Sequence, residues 1–278
     1  MEHRPRSFYI LAAFFTLFLL FLYGPTITIG ILSFQGPQGG LTFPMNGVST
    51  YWFHDLFREQ AVGDIWGAFR RSFGLGLMVM VTTIVVSVMA GLAFRKKFPG
   101  SGLLFYLAIT SLVIPSILIS LGVGLIFNQL GLKVHWATSG FGAQLTWTLP
   151  FGLLIMFAVF NRFDKSFEEA ARDQGANAWQ VIRYVVLPII APSLIGVALF
   201  GFTLSYDEFA RTLLTAGSYN TLPLEIFGMT TNVTSPVLYA LGTLTTVFSF
   251  LIIAVFLLTV WLLGKHRRRF GSDAGKGV

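Results

Sequence analysis

The chain has no cysteine among its 278 residues, which excludes disulfides, thiolate metal ligands and a thiol nucleophile. Histidine is scarce as well: His3, His54, His135 and His266 lie far apart, with no local spacing that suits a metal, and no metal site is expected. Only 11% of the residues are charged, against about 25% in soluble domains. The net charge of +7 is scattered between apolar runs instead of gathered on one basic face, so nucleic acid is not an expected partner. The chain has no GxxxxGK(S/T) phosphate loop, since Gly264-Lys265 lacks the upstream glycine, and neither a GxSxG elbow nor an HExxH helix. Ser87, Ser111, Ser116 and Ser120 sit in apolar stretches without a partner base and read as helix-packing hydroxyls. No catalytic residue is expected, and no cofactor on this chain.

Apolar residues make up 54% of the sequence, and phenylalanine alone occurs 29 times. Six runs approach the roughly 20 apolar residues that a membrane-spanning helix needs. They cover about residues 8–34, 72–94, 101–127, 141–160, 185–206 and 236–263. The first is read as a retained span, since no small-residue cleavage site follows it. Pro115 predicts a kink in the third run, Pro150 lies inside the fourth, and the fifth is entered through Pro188 and Pro192. The expected fold is all-α and polytopic, a single transmembrane domain with both termini on one side. Placing the termini in the cytoplasm puts 14 of the 19 basic residues there, as the positive-inside rule requires. Arg70-Arg71 runs against that rule, and an interfacial helix over residues 51–71, with a face built from Trp52, Phe53, Leu56, Phe57, Ile65, Trp66 and Phe69, is its expected home. The outer loops, about 35–71, 128–140 and 207–235, do not read as folded domains. Residues 264–278 are expected to form a flexible tail. Acidic residues are nearly absent from the span interiors, where a proton-coupled carrier would place its relays, so an external energy source is favoured.

The most polar stretch between spans is "EEAARDQGANAWQVIRYVVLP", residues 168–188, on the cytoplasmic side in this topology. Ser166 and Glu169 read as a capping box that starts a short helix over 167–174. Gly175 supplies the left-handed residue that ends it, and Asn177 looks like the start of a second helix running to Leu187, with Pro188 opening the fifth span. Capping chemistry alone fits a loop that touches only its own bundle as well as it fits a docking element.

The spacing of the stretch resembles a family signature. Glu169-Ala170-Ala171, three residues, Gly175, nine residues, Val185, one residue and Leu187-Pro188 is similar to the EAA motif of type I ABC-importer permeases, with Val185 where isoleucine is usual. The resemblance extends over essentially the whole chain. It implies a cytoplasmic coupling segment, here about 162–187, whose helix docks on a separate ATP-binding subunit through Glu169, Ala170, Ala171 and Gly175, with Leu187 and Pro188 supporting the return to the membrane. It also implies ATP and Mg²⁺ on that ATPase dimer and a second permease subunit, expected to be a paralogue. A periplasmic or lipid-anchored solute-binding protein and residence in a bacterial inner membrane complete the implied system, which would move solute by alternating access.

The outer end of the fifth span carries Tyr206, Asp207 and Glu208. Two readings stand: a solvated loop start, and a cation-attracting gate on the substrate path. Ser205, Tyr206, Asp207, Glu208, Thr215, Gly217, Leu222, Pro223, Ser235 and Pro236 resemble the corresponding run of spermidine/putrescine-type permeases, which implies a polyamine-like solute. Opines, aminophosphonates and other small solutes belong to the same branch. Arg211 departs from that pattern and is placed to pair with Asp207 or Glu208. A self-sufficient carrier or channel, with a merely structural loop, is the alternative from another class.

Overall fold

The computed structural model describes residues 5–58, 63–96, 98–232 and 235–269. The basic residues Arg4 and Lys97 and residues 270–278 of the expected tail lie outside them, while residues 264–269, also expected to be tail, continue the last helix. The described residues are helical, with one isolated bridge, Gln35 to Val48, as their only strand-like pairing. Among the described residues, five helices are long and apolar enough to cross a membrane: Arg6–Leu32, Ile65–Phe94, Trp136–Arg162, Ala178–Tyr206 and Val237–Leu262.

The chain divides into two compact units. The first holds residues up to 63 and residues 226–251. Its opening helix α1 (Arg6–Leu32) carries Pro25 inside and leaves most of its large apolar side chains exposed, Phe21 at 83%. That is how a helix solvated by lipid reads, since apolar side chains gain nothing there by facing inward. After it the chain folds about the buried Gln35, whose Nε2 donates to Gly40 O (3.2 Å) and whose Oε1 accepts from Asn46 N (2.7 Å). The short α2 (Tyr51–Asp55) closes this knot, with Trp52 Nε1 donating to Gly36 O at 3.3 Å.

The second unit holds residues 64–225 and those from 252 on. It begins with α3 (Ile65–Phe94), and here an expectation fails. The interfacial helix over 51–71 does not form: α2 ends at Asp55, and residues 65–71 belong to α3. The cause is a cap. Asp64 Oδ1 accepts from Gly67 N at 2.8 Å, satisfying an orphan amide and starting the helix at Ile65. Arg71 then reaches back to Asp64 at 3.0 Å and donates to Asn220 O at 2.7 Å. The amide of Gly67, with Arg71 after it, holds the Asp64 carboxyl below the usual carboxylate range. The basic pair that ran against the charge rule is thus engaged in fixing a helix start: Arg71 through these bonds, and Arg70 over the Trp66 ring at 5.0 Å.

The third apolar run is also not one helix. It forms α4 (Ser101–Thr110) and α5 (Ser116–Gln129), separated by a non-helical stretch ending at Pro115. Proline has no amide to continue the ladder and drives the residue before it out of the helical region, so the expected kink becomes a break. Ser111 Oγ, in the break, donates to Thr146 O at 2.7 Å and so ties it to a later helix. A π turn over Trp136–Gly140 leads into α6 (Phe141–Arg162). After it come α7 (Ser166–Asp173), α8 (Ala178–Val181), a second π turn over Ile182–Val186 and α9 (Leu187–Tyr206). Pro188 does not break this run. Its ring is directed at the carbonyl four residues back, Tyr184, and the wider π turn lies where that clash would fall. The chain ends with α10 (Leu222–Asn232), inside a stretch expected to be loop, and α11 (Val237–Arg269).

Helices α3, α6 and α9 form the packed centre of the second unit. Gly152 lets α6 lie close on α3: a Cβ there would sit 2.2 Å from Ser87 Oγ. Thr83 and Thr148 hydroxyls pair across the same contact at 2.8 Å, and Gln144 and Ser205 bond between α6 and α9.

Candidate functional site

The polar stretch forms a helix, a turn and a helix. The capping box expected between Ser166 and Glu169 is not made. Ser166 is already the first helical residue, and Lys165 before it has helical angles, φ −68° and ψ −20°, so the extended geometry a capping hydroxyl needs is missing. Asp164 does the work instead: its Oδ1 accepts from Ser166 N at 2.9 Å, and that amide, together with the Ser166 hydroxyl, holds its carboxyl below the usual range. Glu169 therefore has no capping task and lies exposed.

The turn is a Schellman motif. Ala176 N donates to Ala171 O (3.1 Å), Gly175 N donates to Arg172 O (2.8 Å), and Gly175 takes φ +85°. A side chain there would be strained, which is why glycine holds the position. Asn177 then caps α8 in a full capping box with Gln180, at 2.9 and 2.8 Å. Asn177→Ala is expected to cost about 1 kcal/mol of local stability. Hydrogen exchange in the amides of residues 178–181 measures it, and unchanged protection would refute the cap's contribution.

The three alanine-motif positions differ in what they face. Glu169 and Ala170 are exposed, whereas Ala171 is half-buried and, with Ala176, packs on an apolar cluster that includes Phe160, Phe163, Val181, Val186 and Ile190. Leu187 packs on the same cluster, one residue before Pro188. Between α7, the turn and the π turn lies an open concavity of about 510 Å³ lined by Ala170, Ala171, Gln174, Gly175, Ala176, Gln180, Tyr184 and Val185. Small side chains on the α7 side leave this space, and Trp179 and Tyr184 stand exposed beside it. An exposed, rigidly capped short helix next to a concavity suits docking by another protein.

Sequence reasoning missed the anchor of this element. Glu168, one residue before Glu169, is only 9% exposed and meets Arg95 Nη1 at 2.5 Å. The pair joins residues far apart in the chain, and no local spacing announces it.

At the other end of α9 the acidic pair is split. Tyr206 is buried, its ring stacked on Phe202 at 5.8 Å. Asp207 is exposed. Glu208 is engaged by Arg211: its Oε1 accepts from Arg211 N at 2.9 Å and its Oε2 lies 3.6 Å from Nη1. Arg211 is wholly buried, with Nη1 on Ser116 Oγ (2.6 Å), Nε on Thr146 Oγ1 (3.3 Å) and its guanidinium 4.5 Å from the centroid of Trp147. The following loop is anchored at several points, although residues 213, 214 and 217–220 are exposed. Ser120 Oγ donates to Arg211 O (3.0 Å) and accepts from Leu214 N (2.9 Å), and Ser139 Oγ donates to Thr215 O (2.8 Å). Ser116 and Ser120, expected to pack helices, thus tie this loop to α5.

The comparisons with known proteins agree with one another. The family model described as binding-protein-dependent transport system inner membrane component matches residues 83–270. Spermidine/putrescine transport system permease protein PotC of Haemophilus influenzae is 28% identical over 255 residues, covering 89% of this chain and 95% of that protein. Putrescine transport system permease protein PotI of Escherichia coli K12 is 28% identical over 232 residues, 81% of each. Among solved structures, a bacterial alginate ABC transporter in complex with an alginate pentasaccharide-bound periplasmic protein aligns with TM-score 0.65 at 15% identity, over 98% of this chain and 96% of that one. The MetNI methionine ABC transporter in inward-facing conformations aligns with TM-score 0.55 at 18% identity, over 72% and 94%. The apolar helices, the all-α fold and the matched region, more than half the chain, lead to one conclusion: this chain belongs to the binding-protein-dependent transport system inner membrane component family and is a multi-pass permease subunit of an ABC importer.

Proposed function

We propose that this permease imports a polyamine-like solute, putrescine or spermidine in type, by alternating access driven by a separate ATPase dimer that carries ATP and Mg²⁺. In this reading α4 and α5 together make the third of six crossings, both termini are cytoplasmic, and the membrane is a bacterial inner membrane. The coupling element is α7 with the Gly175 turn. The observation that carries this is the exposure of Glu169 and Ala170 on a capped helix beside an open concavity, at the motif spacing that ends in Leu187-Pro188. A second permease, a paralogue of this one, and a solute-binding protein complete the transporter. The similarity to polyamine permeases supports the solute class.

A second reading has one observation in its favour. Glu208 is already engaged by Arg211, whose Nη2 has no hydrogen-bond partner among the described residues. With its charge neutralised by a buried arginine, Glu208 offers a polycation no free carboxylate, which favours another small solute of the branch, such as an aminophosphonate. Purified transporter with its binding protein, assayed for ATP hydrolysis with putrescine, spermidine and an aminophosphonate in turn, separates the two. Stimulation by the polyamines alone is expected. Stimulation by the aminophosphonate alone would overturn the polyamine assignment, and solute flux through this chain alone would overturn the ATP-driven reading.

A further inference from the structure

Glu168 lies on a helix whose neighbouring positions face solvent, yet its side chain is 11% exposed and its partner Arg95 is 15% exposed. Arg95 is the residue that follows Phe94, where α3 ends. Its guanidinium lies 5.2 Å from the centroids of both Phe160 and Phe163, the aromatic residues that close α6. Arg172, one turn on, adds a second cation 3.5 Å from Glu168 Oε2. The Arg95–Glu168 pair thus joins the end of α3, the end of α6 and the body of α7. Only residues 163–165 separate α6 from α7 along the chain.

An exposed ion pair yields readily, because water replaces each partner. A shielded one does not, because parting it strands a charge away from solvent. The guanidinium also lies over two rings tilted 59° to each other, and its planar fork of donors is fixed in orientation in a way that a lysine ammonium is not. Beyond this junction α3 packs along α6 and α9, through contacts such as Thr83 with Thr148.

From this geometry we infer that Arg95 and Glu168 form a transmission strut, passing displacement of α7 into α3 and so into the helices packed on it. The inference rests on the reading of α7 as the coupling element. Both residues are positioning residues, not solute contacts.

The test uses the whole transporter in proteoliposomes, with solute uptake and ATP hydrolysis measured together. Arg95→Gln and Glu168→Gln are expected to leave assembly and hydrolysis in place while solute moved per ATP falls about tenfold, within the usual range of coupling between sites. The exchange variant Arg95→Glu/Glu168→Arg recovers most of that ratio. If either single variant fails to assemble, Arg95→Lys takes its place: it keeps the charge, loses the planar guanidinium and is expected to give an intermediate ratio. An unchanged ratio in the assembled variants overturns the strut, as does a parallel fall of uptake and hydrolysis with no recovery on exchange. Ala170→Trp separates this failure from failure of the coupling reading. If that variant transports normally, α7 is not the coupling element; if it blocks uptake while Arg95→Gln does not affect it, the strut alone is wrong.

Discussion

Replacing Ala170 by tryptophan is expected to abolish uptake while the chain still inserts in the membrane and pairs with the proposed second permease. Ala170 is exposed, next to Glu169, and lines the open concavity, so an indole there meets no part of its own chain that must give way. It fills the space a docking protein would use. A misfit at the centre of an interface costs on the order of 3 kcal/mol, roughly a hundredfold in affinity. Ala171, the adjacent motif position, is a poorer probe. It packs on the apolar cluster with Phe163 and Val181, and a large residue there would overpack this chain by about 1–3 kcal/mol even with no partner present. The measurement is retention of the ATPase on affinity-purified permease, together with uptake in cells. Full ATPase retention and normal uptake with tryptophan at 170 would remove α7 from the docking role, and Ala170→Gly is expected to stay near wild type.

The other large effect is at Arg211. Arg211→Met removes the cation that neutralises Glu208 and leaves a mostly buried carboxylate with no countercharge. Breaking one side of such a pair costs about 3–5 kcal/mol. It also removes the guanidinium from the face of Trp147, a contact of about 1–2 kcal/mol when desolvated. Thermal unfolding of the purified transporter in detergent is expected to fall by several degrees, and Arg211→Met/Glu208→Gln to recover part of the loss. Equal stability of the single and double variants would show that the Glu208 charge is not what Arg211 satisfies. Uptake by the double variant also bears on the solute: a gate that needs the Glu208 charge would fail even in the restabilised protein.

The helices were legible wherever length and apolarity decide the matter, because a long uncharged run has few alternatives in lipid. The turn was legible too: Gly175 and Asn177 act through bonds to residues at most five positions away, and their chemistry is written locally. The capping box at Ser166 failed under the same local rules, since Asp164 offered a competing acceptor and the helix began one residue early. Asp64 likewise pre-empted the interfacial helix by starting α3 seven residues ahead of the apolar run. The helix α10 had a signal in Pro223 at its second position and Glu225 in its first turn, outweighed by the turn-like residues before it. Arg95 with Glu168, and Arg211 with Trp147 and Ser116, were not legible at all. Their partners lie 64 to 95 residues away, and only packing brings them together.

The π turn over Ile182–Val186 sets the angular phase of the whole helix–turn–helix element that precedes α9. The buried residues Val186, Ile190 and Val197 follow ordinary helical steps of four and seven, but the step back to Val181 is five. One surplus residue is stored there, and each residue of an α-helix turns the chain by about 100°. Wound as unbroken α-helix, the same residues would bring Ile182 onto the stripe, and Val181 would swing off the core. Everything before it, the Asn177 box, the Gly175 turn and α7, would rotate about the axis of α9 by the same angle. Which way Glu169 and Ala170 point is therefore a matter of counting: the wide turn lets five residues cover the angle that four cover in an α-helix, so a one-residue deletion between Val181 and Val186 would close it to ordinary helix and leave the proposed docking face aimed as it is.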